Sequence, residues 1–141
     1  MTAVRLSKPP QSDPIHFLHL GDRIVSDRLV IALDAMGGDK APEVVIDGAE
    51  IARERFPDIS FLMFGEQPRI EPLVEKHPEL AAVTEFRHTT QVVSGEDKPS
   101  IALRSARESS MRLAINAVCD GEASSVVSAG NTGALMAIAK F

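Results

Sequence analysis

Ala123-Ser-Ser-Val-Val-Ser-Ala-Gly-Asn-Thr-Gly-Ala-Leu-Met-Ala137 reads as a short strand over Ser124 to Val127, a tight turn over Ser128 to Asn131, and a helix opening near Thr132. Gly130 and Gly133 remove Cβ atoms where the backbone bends or where a ligand comes close. Ser128, Asn131 and Thr132 crowd small hydrogen-bonding groups at the point where a helix exposes unpaired N–H groups. Dipole and donors point the same way there, which makes such a terminus a natural anion site. The same residues also suit an ordinary strand-to-helix turn. The stretch is not a Walker A loop, because no Gly-Lys-Ser/Thr ends it.

Outward from this unit the pattern repeats. Leu29-Val-Ile-Ala-Leu33 is a continuous apolar run, as a strand buried on both faces requires. A loop over Asp34 to Pro42 leads to a helix in which Val45, Ala49, Ala52 and Phe56 recur at helical spacing, stopped by Pro57. Ile59 to Phe64 is a second apolar strand ending at Gly65. Ile70, Leu73, Val74 and His77 mark a second helix, closed by Pro78, and Val83 to Arg87 is a weaker strand suited to an edge. After a polar loop over Thr89 to Pro99, Ser100 to Asp120 is helical in pattern, with Ser109-Ser110 able to bend or interrupt it. Strand and helix alternating four times predict an α/β fold, a mostly parallel sheet with helices on both faces. In such sheets ligands sit beyond the carboxyl ends of the strands. That gathers three loops on one edge: Asp34 to Lys40, Thr89 to Lys98, and Ser128 to Gly133.

Composition narrows the function. The chain has 141 residues, 44% hydrophobic and 25% charged, which suits one domain with a real core. A net charge of −5 argues against nucleic-acid binding, which demands a basic surface. The single Cys119 excludes an internal disulfide and is expected to pack in the core on a helix. No apolar run reaches the length of a membrane span. Residues 1–28 mix Pro9, Pro10 and Pro14 with scattered charges and read as a flexible extension, docked in part through Phe17, Leu18 and Leu20. His16 and His19 lack the partners that would complete a metal set, so no metal site is expected.

The remaining chemistry lies in two groups. Asp34-Ala-Met-Gly-Gly-Asp39 sets two carboxylates around Gly37 and Gly38 at a strand's carboxyl end. Asp34 or Asp39 can cap the next helix, brace the loop, orient a basic side chain or carry a proton. Lys98, Arg104, Arg107 and Arg112 form the basic concentration of the later half. Arg104 and Arg107 lie three apart, so one continuous helix puts them on one face. With Ser109 and Ser110 they can hold a phosphate by charge-assisted hydrogen bonds; a solvated helix face is the alternative.

Four blocks carry a resemblance. Asp34-Ala-Met-Gly-Gly-Asp-Lys-Ala-Pro42, Lys98-Pro-Ser-Ile-Ala-Leu-Arg104, Arg107-Glu-Ser-Ser-Met-Arg112 and Val127-Ser-Ala-Gly-Asn-Thr-Gly-Ala-Leu-Met136 resemble, in order and spacing, the signature blocks of the PlsX-type phosphate acyltransferases. The resemblance runs from about Leu29 to Phe141. It implies a Rossmann-like sheet akin to isocitrate and isopropylmalate dehydrogenases. It also implies transfer of a long acyl chain from acyl carrier protein to inorganic phosphate, giving acyl phosphate for phospholipid synthesis. A homodimer working in the cytoplasm, with peripheral membrane association, belongs to the same expectation.

Family chains are longer, and this sequence stops at Ala139-Lys-Phe141 inside a helical pattern without a cap, so it reads as an incomplete, inactive amino-terminal portion. The expected chemistry needs a held dianion and a stabilised oxyanion, with no cofactor, metal or covalent intermediate. Ser128, Gly130, Asn131, Thr132 and Gly133, with Arg104, Arg107 and Arg112, are the candidates for those contacts. No Ser/His/Asp set and no Gly-x-Ser-x-Gly elbow is visible, and no general base is assigned. Two rivals are a nicotinamide dehydrogenase, against which the first strand lacks Gly-x-Gly-x-x-Gly, and a non-catalytic phosphate- or partner-binding fragment.

Overall fold

The Leu29–Leu33 run becomes an inner strand, flanked on both sides and buried from Ala32 onward. β1 (Leu29–Asp34) pairs in parallel with β2 (Ile59–Gly65) on one side and β4 (Ser125–Val127) on the other, and β3 (Thr84–His88) lies beyond β2. The computed structural model describes residues 29–140, so the expected extension over residues 1–28 lies outside the described residues. Register is set by Leu29 opposite Ile59, Ile31 opposite Ser125 and Phe61 opposite Thr84. The sheet order β3-β2-β1-β4 makes the described residues a Rossmann-like α/β unit, with β3 at an edge as its weaker pattern predicts.

Alternation along each strand divides the core. Leu33, Phe61 and Met63 face one layer, where α1 (Glu43–Arg55) supplies Ile46 and Ala49, α2 (Gln67–Val74) supplies Ile70 and Val74, and α3 (Pro78–Ala81) supplies Leu80. Ala32, Leu62 and Phe64 face the other layer, against Ala114 and Ala117 of α5 (Ser110–Cys119). α4 (Pro99–Ser105) and α6 (Thr132–Lys140) join that second layer through Ala102, Met111, Ile115, Ala134 and Ile138. Right-handed crossovers explain the split: moving outward from β1 to β3 puts the helices on one face, and the return to β4 puts them on the other.

Several local expectations are corrected. Ser100 to Asp120 is two helices: the first ends at Ser105, and after a short turn Ser109 starts the next. Its hydroxyl donates to the Ala106 carbonyl at 2.8 Å, and its oxygen accepts the Arg112 N–H at 3.2 Å as an N-cap. Arg104 therefore sits in the last turn of α4 while Arg107 lies in the turn after it, so they do not share a helix face. Pro78 opens α3 as well as closing the segment before it. Neither Asp34 nor Asp39 caps α1, which begins after Pro42 without a side-chain cap. Ile46 takes the inward place in α1, and Phe56 is left 61% exposed at its end. Cys119 is exposed at the last position of α5 rather than packed in the core. Because Ser109 is fully buried as a cap, Ser109→Ala is expected to lower stability by about 1–2 kcal/mol. A urea titration of the two proteins, with unchanged slope and a lower midpoint, checks this.

Candidate functional site

Asp34 is the last residue of β1 and only 2% exposed, so its carboxylate must find partners inside the protein. It finds them in three segments. Oδ1 accepts the Ser110 hydroxyl at 2.6 Å and the Met36 N–H at 3.3 Å, and Oδ2 accepts the Ser128 hydroxyl at 2.7 Å. Ser128 in turn accepts the Gly130 N–H at 3.1 Å. One carboxylate thus ties the loop after β1, the first turn of α5 and the turn between β4 and α6 into a single network.

The Gly pair makes the approach possible. A Cβ on Gly37 would stand 2.6 Å from Asp34 Oδ2 and 2.9 Å from Ser128 Oγ. Gly38 has φ +101°, in the left-handed region that favours glycine, and lies against the Ala129 carbonyl.

Asn131 organises the other side of the turn. Its Oδ1 accepts the Ala134 N–H at 2.9 Å, the bond that satisfies a donor in the first turn of α6. Its Nδ2 donates to the carbonyls of Ser94, Gly95 and Asp97, at 3.2, 3.1 and 2.8 Å. The loop after β3 is thereby held beside the start of α6, and Gly133 lies so close to Pro99 that a Cβ there would be 2.7 Å from its Cγ. Thr132 and Gly133 are exposed at this helix start. The three loops named from the sequence do meet at one edge.

The basic residues are disposed differently from the serines. Lys98 immediately precedes α4, Arg104 is in its last turn, Arg107 is in the turn before α5, and Arg112 is in the first turn of α5. Lys98, Arg104 and Arg107 are exposed and Arg112 is half-buried, and none pairs with a carboxylate among the described residues. Asp39 is exposed as well. Ser109 and Ser110 are fully buried, with their hydroxyls donated to Ala106 and Asp34. They hold the framework together rather than presenting a free hydroxyl to an anion.

Two residues that the sequence did not single out complete the framework. Thr89 donates its hydroxyl to the Glu108 carbonyl. Gln91 binds the turn from both ends: Oε1 accepts the Glu108 N–H at 2.9 Å, Nε2 donates to the Ser105 carbonyl at 3.2 Å, and its backbone carbonyl accepts the Ser110 N–H at 3.0 Å. Together they fix the short segment that carries Arg107. Nothing about a Thr and a Gln in a polar loop signals this, since both partners lie well over ten residues away in the chain. Among the described residues no group of three or more His, Cys, Asp or Glu side chains is placed to hold a metal ion. No helix of theirs is long and apolar enough to cross a membrane.

A family model described as fatty acid synthesis protein matches residues 29–141. The chain is similar to the phosphate acyltransferase of Rhodospirillum centenum, 62% identical over 117 residues, which are 83% of this chain and 33% of that protein. The phosphate acyltransferase of Parvibaculum lavamentivorans is 61% identical over 113 residues, 79% of this chain and 31% of that protein. That of Rhodospirillum rubrum is 59% identical over 117 residues, 83% of this chain and 34% of that protein. The chain spans about a third of the length of the curated relatives it matches.

Proposed function

The chain belongs to the fatty acid synthesis protein family, and on that premise we propose that its sheet edge holds the inorganic phosphate of an acyltransferase making acyl phosphate from an acyl carrier protein thioester. The relatives' name, phosphate acyltransferase, supports the reaction class. The observation that carries the reading is the Asp34 network, which locks the turn before α6 while its own hydrogen-bonding capacity is used internally.

Catalysis here is positioning. A phosphate oxygen attacks the thioester carbonyl, and the carbon–sulfur bond breaks with the carrier thiolate as leaving group. The dianion and the developing oxyanion both need donors that are already aimed. The Ser128 hydroxyl donates its hydrogen bond to Asp34, so the donors left for the anion are the backbone N–H groups opening α6 near Asn131, Thr132 and Gly133, where the helix dipole adds its attraction. Gly130 lets the turn pack closely against Met111, Ser128 and Gly37, which a Cβ there would meet at 3.1 to 3.4 Å. Lys98, Arg104, Arg107 and Arg112 supply the charge. Asp34, Gly37, Gly38, Ser109 and Ser110 act as positioning residues, and Asp39 lies on the rim. The chemistry asks for no cofactor or metal. On the same reading the working enzyme is a homodimer that meets its carrier-bound substrate in the cytoplasm beside the membrane, where acyl phosphate feeds phospholipid synthesis.

Titration with inorganic phosphate, followed by amide shifts, tests the phosphate site. The expected result is shifts concentrated on residues 128–133. Arg107→Ala should weaken binding about tenfold, the size of one lost charge-assisted hydrogen bond at the low end of its range because the side chain is exposed. Shifts confined to other loops, or equal affinity in the variant, would remove these residues from the site. Hydroxylamine trapping of acyl phosphate, formed from acyl carrier protein thioester and phosphate, tests the reaction itself.

A further inference from the structure

A serine hydroxyl has one proton and two lone pairs, and the fold has already committed most of those on Ser128. The proton goes to Asp34 Oδ2 at 2.7 Å, and one lone pair accepts the Gly130 N–H at 3.1 Å. What remains is a single lone pair on a half-buried side chain, in the turn that leads directly to the N–H groups of Asn131, Thr132 and Gly133. Gly37 and Gly130 bring no Cβ to that oxygen; one built on them would stand 2.9 and 3.3 Å from it, respectively. Given the phosphate site proposed above, on which this rests, we propose that Ser128 Oγ, its proton held by Asp34, accepts the O–H of hydrogen phosphate. The site thereby selects the protonated oxyanion over sulfate.

Charge and size do not make this choice. Hydrogen phosphate and sulfate are tetrahedral dianions of similar size, and N–H groups at the start of α6 serve either. The difference is one proton: phosphate keeps an O–H at neutral pH, and sulfate has none. A site that offers donors alone treats the two alike. One acceptor among the donors separates them, because sulfate sets an oxygen against a lone pair with no hydrogen between. Asp34 fixes the polarity of that acceptor. An ionised carboxylate only accepts, so the hydroxyls beside it donate. Ser110 and the Met36 N–H serve Oδ1 at 2.6 and 3.3 Å, and Ser128 serves Oδ2. Asp34 is only 2% exposed, so turning the Ser128 proton toward an anion would take from a buried oxygen the hydrogen bond it receives there.

The proton's place also suits the reaction. With the protonated oxygen at Ser128, an unprotonated oxygen of the same phosphate is the nucleophile. It forms the carbon–oxygen bond as the carbon–sulfur bond breaks. Hydrogen phosphate dianion and thioester then give the acyl hydrogen phosphate monoanion and the carrier thiolate. No proton leaves phosphate in this step. Asp34 is therefore a positioning residue that acts through Ser128 and takes up no proton.

The test follows amide shifts on residues 128–133 of the intact 141-residue chain, titrated with sodium phosphate and with sodium sulfate at equal pH and ionic strength. Phosphate is expected to bind about tenfold or more tightly than sulfate, the effect of one hydrogen bond replaced by an unpaired acceptor at a half-buried side chain. Ser128→Ala should bring the two affinities close together, and Ser128→Thr, which keeps the hydroxyl, should preserve the ratio. A merely loosened turn would weaken both anions alike and leave the ratio intact. Equal affinities in the wild type, or an unchanged ratio in Ser128→Ala, overturn the proposal while the phosphate site stands; the wild-type comparison does so without any variant. Shifts with neither anion would remove the phosphate site itself, and this proposal with it.

Discussion

Asp34→Ala is expected to lower the stability of the chain by about 2–4 kcal/mol, because a buried Ser110 hydroxyl loses its acceptor and a charge-assisted bond to Ser128 is lost with it. The two losses are unequal. Ser110 is fully buried, and its stranded hydroxyl bears the whole desolvation penalty, whereas the half-buried Ser128 can turn toward water. Asp34→Asn should cost less, since an amide still accepts from one serine and the other hydroxyl can rotate to accept from its NH2. Both substitutions should also loosen the turn before α6, because Ser128 orients the Gly130 N–H. Chemical denaturation gives the order wild type, then Asn, then Ala, and phosphate affinity should fall in the same order. Equal midpoints for all three proteins would show that the network contributes nothing to stability. A stable Asp34→Ala protein with unchanged phosphate shifts would separate Asp34 from the anion site.

Gly37→Ala is the second large effect, with a loss of about 2–3 kcal/mol from overpacking a buried site. The added methyl would sit 2.6 Å from Asp34 Oδ2 and 2.9 Å from Ser128 Oγ, two atoms already engaged with each other. Neither is the free end of a flexible side chain, so the loop or the hydrogen bond must give way. Its neighbour provides a contrast in mechanism. Gly38→Ala is penalised by its left-handed backbone, at φ +101°, and by the nearby Ala129 carbonyl. Combining Gly37→Ala with Ser128→Ala or with Asp34→Ala should recover part of the loss, because each removes an atom the methyl meets. No such relief is expected for Gly38→Ala with either partner. A double-mutant cycle on unfolding free energies measures this difference. Additive costs for Gly37→Ala with both partners would place its effect in the backbone.

The two predictions mark how far the candidate site was legible before the chain was folded. Gly37 and Gly38 announce a close approach because glycine in a loop after a strand has few other uses, but nothing local says that the neighbour is Ser128. Ser109 and Ser110 read as polar groups beside arginines and so as anion ligands. In the fold one caps α5 and the other serves Asp34. Arg104 and Arg107 suggested one helix face only because a continuous helix was expected there. The Ser109 cap divides that helix, which shows how a side chain competing for backbone donors can override apolar periodicity. Thr89 and Gln91 gave no signal, for their work is to brace backbone groups of a distant turn.

The alternation of apolar strands with amphipathic helices determined the α/β class, the parallel sheet and the edge on which the loops gather. These follow from short-range rules, since burial on two faces needs an uninterrupted apolar run and chirality leaves one sense of crossover. The turn before α6 was likewise visible, because Ser128, Gly130 and Asn131 are local turn and cap chemistry. Only the tertiary structure decided which polar groups meet. Asp34 reaches Ser110 across 76 residues and Ser128 across 94, and Asn131 holds carbonyls more than 30 residues away. Such pairings depend on the order β3-β2-β1-β4, which sets β4 beside β1, and on α5 crossing the face beneath them. The physical reason is that a hydrogen bond is sensitive to a fraction of an ångström, whereas periodicity specifies only the side of an element that faces inward.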